Sequence, residues 1–210
     1  MEEPAAKKAV AFIDGQNLYH HAKAAFGHTH PNFDPNRLFD AICRRMGWLN
    51  GGVRFYTGVP PAKNDPFWHG YWSNRLLAMR RNGIHVTSRP LRYYREEIQR
   101  DNDETTVIGV PVEKGIDVRL ALDVIRLARE RQYDVGVIFS QDQDLAEVVP
   151  DVRDISRAQK RWIKLVSAFP SGPNASARRG IHGTDWLRIS QDEYDACLDL
   201  RDYRPNKARR

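Results

Sequence analysis

Short apolar runs alternate along the chain with longer stretches in which apolar residues recur at helical spacing. The helical spacing predicts four helices, over residues 17–26, 35–46, 67–81 and 116–132. The apolar runs predict six strands, at residues 10–13, 53–57, 84–86, 135–139, 162–167 and 187–189. A further helix is predicted from residue 142 to about residue 158, and Pro150 should kink or divide it. This alternation predicts an α/β fold, a Rossmann-like three-layer sandwich with a mainly parallel central sheet.

Two segments interrupt the alternation. Residues 91–112 contain two extended stretches separated by the polar turn at residues 100–104. This pattern predicts a hairpin or flap inserted into the sandwich. Gly51 and Gly52 break the pattern between the second helix and the second strand.

The end of the chain has its own signals. Ser190, with Glu193 three residues later, is a capping-box pattern and predicts a short helix through residue 198. The basic tail that follows is expected to fray. We therefore expect the main domain to cover residues 1–190, with the short helix and the basic tail in residues 191–210.

Acidic residues stand at three places where a predicted strand or helix begins or ends. The first is Asp14-Gly15-Gln16-Asn17, directly after the first strand. The second is Glu113-Lys114-Gly115-Ile116-Asp117, which opens a predicted helix, and the third is Ser140-Gln141-Asp142-Gln143-Asp144. Because the carboxyl ends of parallel strands share one edge of an α/β sheet, these acids can converge there. Converging carboxylates repel one another, and a divalent cation such as Mg²⁺, which takes hard oxygen ligands, would relieve that repulsion.

The three segments closely resemble the motifs of the NYN domain, a family within the PIN-like metal-dependent nucleases. The resemblance extends in order and spacing over about residues 10–167, and three ordered motifs are far more specific than any one alone. It implies a PIN-like fold and a metal-dependent endoribonuclease that cleaves single-stranded RNA. The third motif departs from the family's usual Ser-Gly-Asp-Ser-Asp, because Gln141 and Gln143 stand around its two aspartates.

The acids and the resemblance together suggest catalytic roles. Asp14, Asp117 and Asp142 would hold Mg²⁺ or Mn²⁺, with Asp144 as a fourth ligand or an outer partner, and the cation would activate a water molecule. Asn17 would orient a water or a phosphate oxygen, although as an asparagine it could instead cap the first helix. Any one of the aspartates could simply be placed favourably near a helix N-terminus, and it is their coincidence that favours a metal site.

Three neighbouring residues keep more than one interpretation. Ser140 has no histidine in a recognisable relation to it, so it is expected to bond a metal ligand or a phosphate rather than to act as a nucleophile. Glu113 is either a further metal ligand or a charge at the end of a strand. Lys114 either neutralises a bound phosphate or is simply exposed beside Gly115.

The net charge of +6 is unevenly distributed along the chain. Residues 201–210 hold five basic residues and one acidic residue, so the tail contributes +4 and the rest of the chain only +2. The candidate RNA-binding residues near the acids are Lys114, Arg161, Arg178 and Arg179, for which ordinary solvated charge is the alternative. Charge gives modest support for a nucleic-acid partner; the choice of RNA comes from the resemblance, and the residues do not exclude DNA.

Composition and length narrow the other possibilities. With 41% hydrophobic residues and no apolar run near the roughly 20 residues that a bilayer requires, no membrane association is expected. The N-terminus lacks a signal pattern, so a cytoplasmic protein is expected. A homodimer is plausible only by analogy with small nucleases of this fold.

Two alternative functions compete with the nuclease. The replacement at Gln141 motivates a catalytically weak RNA-binding or regulatory module that uses the same cleft. A phosphatase of the haloacid-dehalogenase type would require an aspartate at position 16, where this chain has Gln16.

Overall fold

The computed structural model describes residues 1–99, 105–175 and 179–205, and its centre is a parallel sheet. The sheet has six strands: β1 (Lys8–Asp14), β2 (Leu49–Val59), β3 (His85–Pro90), β6 (Val135–Phe139), β7 (Lys164–Pro170) and β8 (Asp185–Ile189). Their order across the sheet is β3-β2-β1-β6-β7-β8, and every neighbouring pair is parallel. The predicted α/β class and parallel sheet are therefore confirmed.

Helices cover both faces of this sheet. They are α1 (Gly15–Phe26), α2 (Pro35–Met46), α3 (Pro66–Arg81), α4 (Ile116–Arg129), α5 (Val148–Gln159) and α6 (Gln191–Asp195). One core joins the sheet to α1, α2, α3 and the end of α6, and a second core joins it to α4 and α5. The alternation of β1 explains the division, since Ala11 and Ile13 belong to the first core and Val10 and Phe12 to the second.

The glycine pair before the second strand does not end the sheet. Gly51 and Gly52 lie inside β2, which runs from Leu49. They form a bulge opposite β1, because the register shifts there, and Gly52 has a φ of +118° that an L side chain rarely adopts. The predicted break is thus a local irregularity within a longer strand.

The predicted hairpin is present as a separate two-stranded sheet. Strands β4 (Arg92–Gln99) and β5 (Thr105–Val112) are antiparallel, with Arg92 opposite Val112. The turn predicted at residues 100–104 lies outside the described residues. The hairpin ends at Val112, three residues before Gly115, so it leads directly into α4.

The helix predicted after Asp142 is divided, but the division lies before Val148 and not at Pro150. A short 3₁₀ helix, Gln143–Glu147, precedes α5, and Pro150 lies in the first turn of α5. A proline is tolerated there because its missing N–H has no partner within the helix.

The end of the described chain packs against α3, contrary to the expectation that the tail frays. Tyr203 is buried, and its ring meets that of Tyr71 edge to face with 6.1 Å between the two ring centroids. The side chain of Asn74 donates a hydrogen bond to the Tyr203 carbonyl at 3.1 Å. Residues 206–210 lie outside the described part of the chain. Among the described helices, none is long and apolar enough to span a membrane.

Candidate acidic site at the carboxyl edge of the sheet

Asp14 joins the first strand directly to the first helix. It is the last residue of β1 and the N-cap of α1, where its Oδ1 accepts a hydrogen bond from the backbone N–H of Asn17 at 3.0 Å. The turn is tight because Gly15 packs on β2; an added Cβ there would lie 2.6 Å from the ring of Phe55. Asp14, rather than Asn17, therefore caps the helix.

The end of β6 carries the second part of the site. The hydroxyl of Ser140 donates to Oδ2 of Asp14 at 3.5 Å and accepts from the backbone N–H of Asp142 at 3.1 Å. Asp142 in turn caps the 3₁₀ helix, because its Oδ1 accepts from the N–H of Asp144 at 3.0 Å. Ser140 is thus the link between the acids of the first and third motifs, and Asp144 is exposed beside them.

A further hydrogen bond connects the same two strand ends. The side-chain oxygen of Asn17 accepts from the backbone N–H of Gln141 at 3.0 Å. This contact holds the N-terminus of α1 against the loop that carries Asp142, so Asn17 contributes to the shape of the site through the backbone.

Glu113 brings the hairpin connection to the same edge. Its Oε2 accepts a hydrogen bond from the backbone N–H of Gly58, near the end of β2. Only glycine leaves room for this contact, since an added Cβ at Gly58 would lie 2.6 Å from that oxygen and 2.3 Å from Leu91. Asp117 follows in the first turn of α4. The structure therefore adds Glu113, which the sequence left with two interpretations, to the acidic group.

Burial and acidic neighbours raise the pKa of two of these acids, Asp14 and Glu113. Burial raises the pKa of Asp14 from 3.8 to about 6, and the charge of Asp142 adds to the rise. Burial likewise raises the pKa of Glu113 from 4.5 to about 7, and Asp14 and Asp117 reinforce it. The four side chains consequently form one electrostatically connected group, which we call the acid cluster: Asp14, Glu113, Asp117 and Asp142.

The donor chemistry of the acid cluster suits a hard divalent cation. Over the described ranges, no member of the cluster forms an ion pair with a lysine, arginine or histidine. Their oxygens are the ligand type that Mg²⁺ and Mn²⁺ prefer. However, no three acidic, histidine or cysteine side chains in that part of the chain already stand close enough to hold a metal ion. Ligand type and charge therefore fit a cation, while ligation by three side chains would require them to move closer.

Positive and aromatic groups border the acid cluster. The ammonium of Lys114 lies 5.4 Å from the centre of the Tyr94 ring on β4, and Tyr94 is 45% exposed. Arg89, at the end of β3, approaches Gly115 so closely that an added Cβ would lie 2.5 Å from its guanidinium. On the other side, the carbonyl of Arg179 accepts a hydrogen bond from the side chain of Gln141 at 2.7 Å. Arg89 carries no motif that would single it out in the sequence, because it is an isolated arginine at the end of a strand.

Comparison with known families agrees with this arrangement. The model of the NYN domain matches residues 8–178 of the 210-residue chain. The chain belongs to the NYN domain family. NYN domains are generally nucleases with a PIN-like fold, so the match supports a hydrolase acting on nucleic acid. No curated protein matches the chain.

Two solved structures resemble this NYN domain. A protein of unknown function from Vibrio parahaemolyticus has a TM-score of 0.56 and 20% identity, over 92% of this chain and 99% of that one. At that identity the likeness concerns the fold alone. MurG from Acinetobacter baumannii has a TM-score of 0.32 and 11% identity, over 87% of this chain and 45% of its own, which is too distant to support an argument.

The structure explains how this NYN domain departs from the usual third motif. The φ of Gln141 is not in the left-handed region, so the glycine usual at this position is not required by the backbone. The side chain of Gln143 donates to the carbonyl of Gly180 at 3.2 Å and accepts from the N–H of His182 at 3.1 Å. Both glutamines therefore bind the segment that follows β7, and no local sequence pattern could have indicated a contact across 37 to 39 residues.

Arg161 does not lie at the edge that carries the acids, and the prediction that placed it there is wrong. Its guanidinium donates to the carbonyls of Tyr133 at 2.6 Å and Ala128 at 2.9 Å, and it pairs with Asp134 at 3.2 Å. These partners lie at the end of α4 and just before β6. Because Arg161 precedes its own strand, it belongs to the amino edge of this parallel sheet, where it binds one carbonyl in the last turn of α4 and one in the loop after it. Arg178, the other predicted contact, lies outside the described residues.

Proposed function

We propose that this protein is a metal-dependent endoribonuclease that hydrolyses phosphodiester bonds of single-stranded RNA at the acid cluster. The observation that carries the proposal is the group of carboxylates at the carboxyl edge of the sheet, which have no ion-pair partner among the residues that the structure describes. The cluster brings four carboxylates together in an NYN domain. Burial and acidic neighbours raise the pKa values of Asp14 and Glu113. A cation is the simplest way to hold these groups ionised together near a phosphate.

The residues that would hold Mg²⁺ or Mn²⁺ are Asp14, Asp117 and Asp142, with Asp144 as a fourth ligand or an outer partner. When bound, such a cation polarises a phosphodiester and lowers the pKa of a bound water, which supplies the nucleophile. Glu113 lies within the same group and is a further candidate ligand through the oxygen that Gly58 does not occupy.

The other side chains of the site orient its acids. Ser140 donates to Asp14 and accepts from the backbone of Asp142, so it fixes the spacing of two proposed ligands. Asn17 ties the loop after β6 to α1 through the Gln141 backbone. Rigid positioning of this kind matters because small displacements of catalytic groups lower the reaction rate strongly.

The border of the site supports a single-stranded substrate. The exposed ring of Tyr94 offers a surface for base stacking, and Lys114 beside it offers a charge for phosphate. These groups would serve DNA as well as RNA, so the choice of RNA rests on the family.

Cleavage of a labelled single-stranded RNA, and of the DNA of the same sequence, with Mg²⁺, Mn²⁺ or EDTA tests the proposal. Asp14→Asn and Asp142→Asn should each lower metal-dependent RNA cleavage by at least about a hundredfold, an effect expected for ligands of a catalytic metal. Asp185→Asn is the matched control, because Asp185 is exposed at the opposite edge of the sheet, where it pairs with Lys164. Equal cleavage by wild type and the three variants would show that the proposal is wrong.

A second function is favoured by one observation. Since no three ligand side chains in the described chain are already close enough to hold a metal, the same cleft would suit a catalytically weak RNA-binding or regulatory module. In that case folded wild type binds RNA without cleaving it, and Asp142→Asn leaves RNA affinity unchanged.

A further inference from the structure

The segment after β7 is attached to the acidic edge by two glutamine side chains. Gln141 Nε2 donates to the Arg179 carbonyl at 2.7 Å, and Gln143 Nε2 donates to the Gly180 carbonyl at 3.2 Å. Gln143 Oε1 accepts from the backbone N–H of His182 at 3.1 Å. These three bonds involve backbone groups of the segment 179–182, which we call the tethered segment.

The tethered segment is built closely against the sheet. An added Cβ at Gly180 would lie 2.6 Å from the Trp186 ring and 2.8 Å from the hydroxyl of Ser167 on β7. The same hydroxyl donates to the Ser140 carbonyl at 2.7 Å, at the start of the third motif. Gln143 also donates to the Gln141 carbonyl at 3.1 Å, so the two glutamines support each other.

Gln141 and Gln143 are linked to the acid cluster in two ways, as sequence neighbours of Asp142 and through a backbone hydrogen bond. The N–H of Gln141 donates to Asn17, which follows Asp14 by three residues, and Gln141 and Gln143 flank Asp142. Gln141 is 7% exposed, so its side chain is committed to this internal contact rather than to solvent. Arg179, in contrast, is exposed. The tethered segment therefore presents an exposed cationic side chain on a backbone that is bound to the residues flanking Asp142.

We propose that Gln141 and Gln143 are positioning residues for the substrate. By fixing the tethered segment, they hold Arg179 where its guanidinium binds a backbone phosphate next to the scissile one. This inference rests on the nuclease proposed above and adds a determinant of how the strand is held. A guanidinium suits this task because it can bind a phosphate through two parallel hydrogen bonds.

The first test examines the tether without using activity. Gln141→Gly combined with Gln143→Ser restores the family's usual third motif, so the variant should fold. Limited trypsin digestion of the full chain should then cleave after Arg179 at least about fivefold faster than in wild type, because the segment loses its three side-chain bonds. Cleavage after Arg81, at the C-terminus of α3, is the internal reference and should not change. An unchanged rate after Arg179 would overturn the tether.

The second test examines the effect on substrate. The double variant should raise KM for single-stranded RNA about tenfold with kcat within about twofold, since one charge-assisted contact is lost from ground state and transition state alike. Arg179→Ala should do the same in wild type, but should add less than about twofold in the Gln141→Gly/Gln143→Ser background. Arg81→Ala is the matched arginine control. If the increases in KM from the double variant and from Arg179→Ala multiplied when combined, the positioning role would be wrong. A fall in kcat at constant KM would overturn it as well.

A failure of the nuclease itself remains distinguishable. If wild type binds RNA but does not cleave it, the RNA affinities of wild type, the double variant, Arg179→Ala and the combined variant are compared instead. The same non-additive pattern is then expected in Kd. If wild type also fails to bind, while trypsin shows the intact tether, the role of Arg179 in substrate binding is wrong.

Discussion

The side-chain oxygen of Asn17 accepts a hydrogen bond from the backbone N–H of Gln141 at 3.0 Å, across 124 residues of sequence. The bond joins the first acidic motif to the third. Gln141 is buried, so water is not positioned to replace the Asn17 oxygen as the acceptor for its N–H. The contact therefore requires an acceptor at position 17.

Removing that acceptor should destabilise the fold. Asn17→Ala leaves the Gln141 N–H without its partner, which should lower the free energy of unfolding by about 1–3 kcal/mol. Denaturant unfolding followed by circular dichroism measures this change. Asn64→Ala removes an exposed asparagine side chain and should change stability by less than about 0.5 kcal/mol. Equal effects of the two substitutions would contradict the structural role of Asn17.

The acid cluster should make the metal-free protein less stable at neutral pH than at mildly acidic pH. The pKa of Asp14 is about 6 in the folded state against 3.8 ordinarily, so the folded protein holds more protons in that interval. The free energy of unfolding therefore falls as pH rises from about 4 to about 6, by on the order of 3 kcal/mol for Asp14. Glu113, with a pKa of about 7 against 4.5, extends the fall toward neutral pH.

Thermal unfolding in EDTA tests this prediction. Asp14→Asn should raise Tm at pH 8, and the gain should shrink toward pH 4 and vanish near pH 3, where the wild-type carboxyl is neutral in both the folded and the unfolded state. Asp185→Asn should follow the wild-type pH profile. Addition of Mg²⁺ or Mn²⁺ at pH 8 should stabilise wild type more than Asp14→Asn. Parallel pH profiles of Tm for wild type and Asp14→Asn would show that ionisation of Asp14 does not cause the loss of stability at neutral pH.

Gly58→Ala should disturb Glu113 without changing any charge. The added methyl group would lie 2.6 Å from Glu113 Oε2 and 2.3 Å from Leu91, so the Glu113 side chain must leave the Gly58 N–H. Both atoms that the methyl group would meet are ends of flexible side chains, so we expect a loss of only about 0.5–1.5 kcal/mol in stability, from the broken hydrogen bond between Gly58 and Glu113, and a fall in nuclease activity. Gly109→Ala is the control, since its nearest contact would be an ordinary 3.4 Å. Full activity in Gly58→Ala would exclude Glu113 from the working site.

The sequence revealed the parts of this site that depend on local order. Apolar runs placed Asp14 and Asp142 at the ends of parallel strands, and the fold brings those ends together at one edge. The role of Glu113 could not be predicted, because it depends on how closely Gly58 approaches from β2. The tether from Gln143 to Gly180 likewise depends on packing between distant segments. Arg161 was misplaced because the predicted strand began at residue 162, and position before a strand was not distinguished from position after one.

Tyr94 should contribute to binding through its ring. Its face carries the Lys114 ammonium at 5.4 Å, and hydrogen bonding to Lys114 lowers the pKa of its hydroxyl. If a base stacks on the exposed ring, Tyr94→Ala should raise KM for single-stranded RNA by about tenfold, whereas Tyr94→Phe should stay within about threefold of wild type. Steady-state cleavage kinetics provide both values. A similar loss in the two variants would assign the effect to the hydroxyl instead of the ring.

Arg161 should matter for stability and not for substrate. Its guanidinium satisfies the Ala128 and Tyr133 carbonyls and pairs with Asp134 at the amino edge, so Arg161→Ala leaves two carbonyls without that donor. We expect a loss of about 1–3 kcal/mol in the free energy of unfolding. KM for RNA should remain unchanged at temperatures where the variant is folded, in contrast to Arg179→Ala. A raised KM in folded Arg161→Ala would mean that the substrate extends around the sheet to its amino edge, and the phosphate path proposed for Arg179 would then be incomplete.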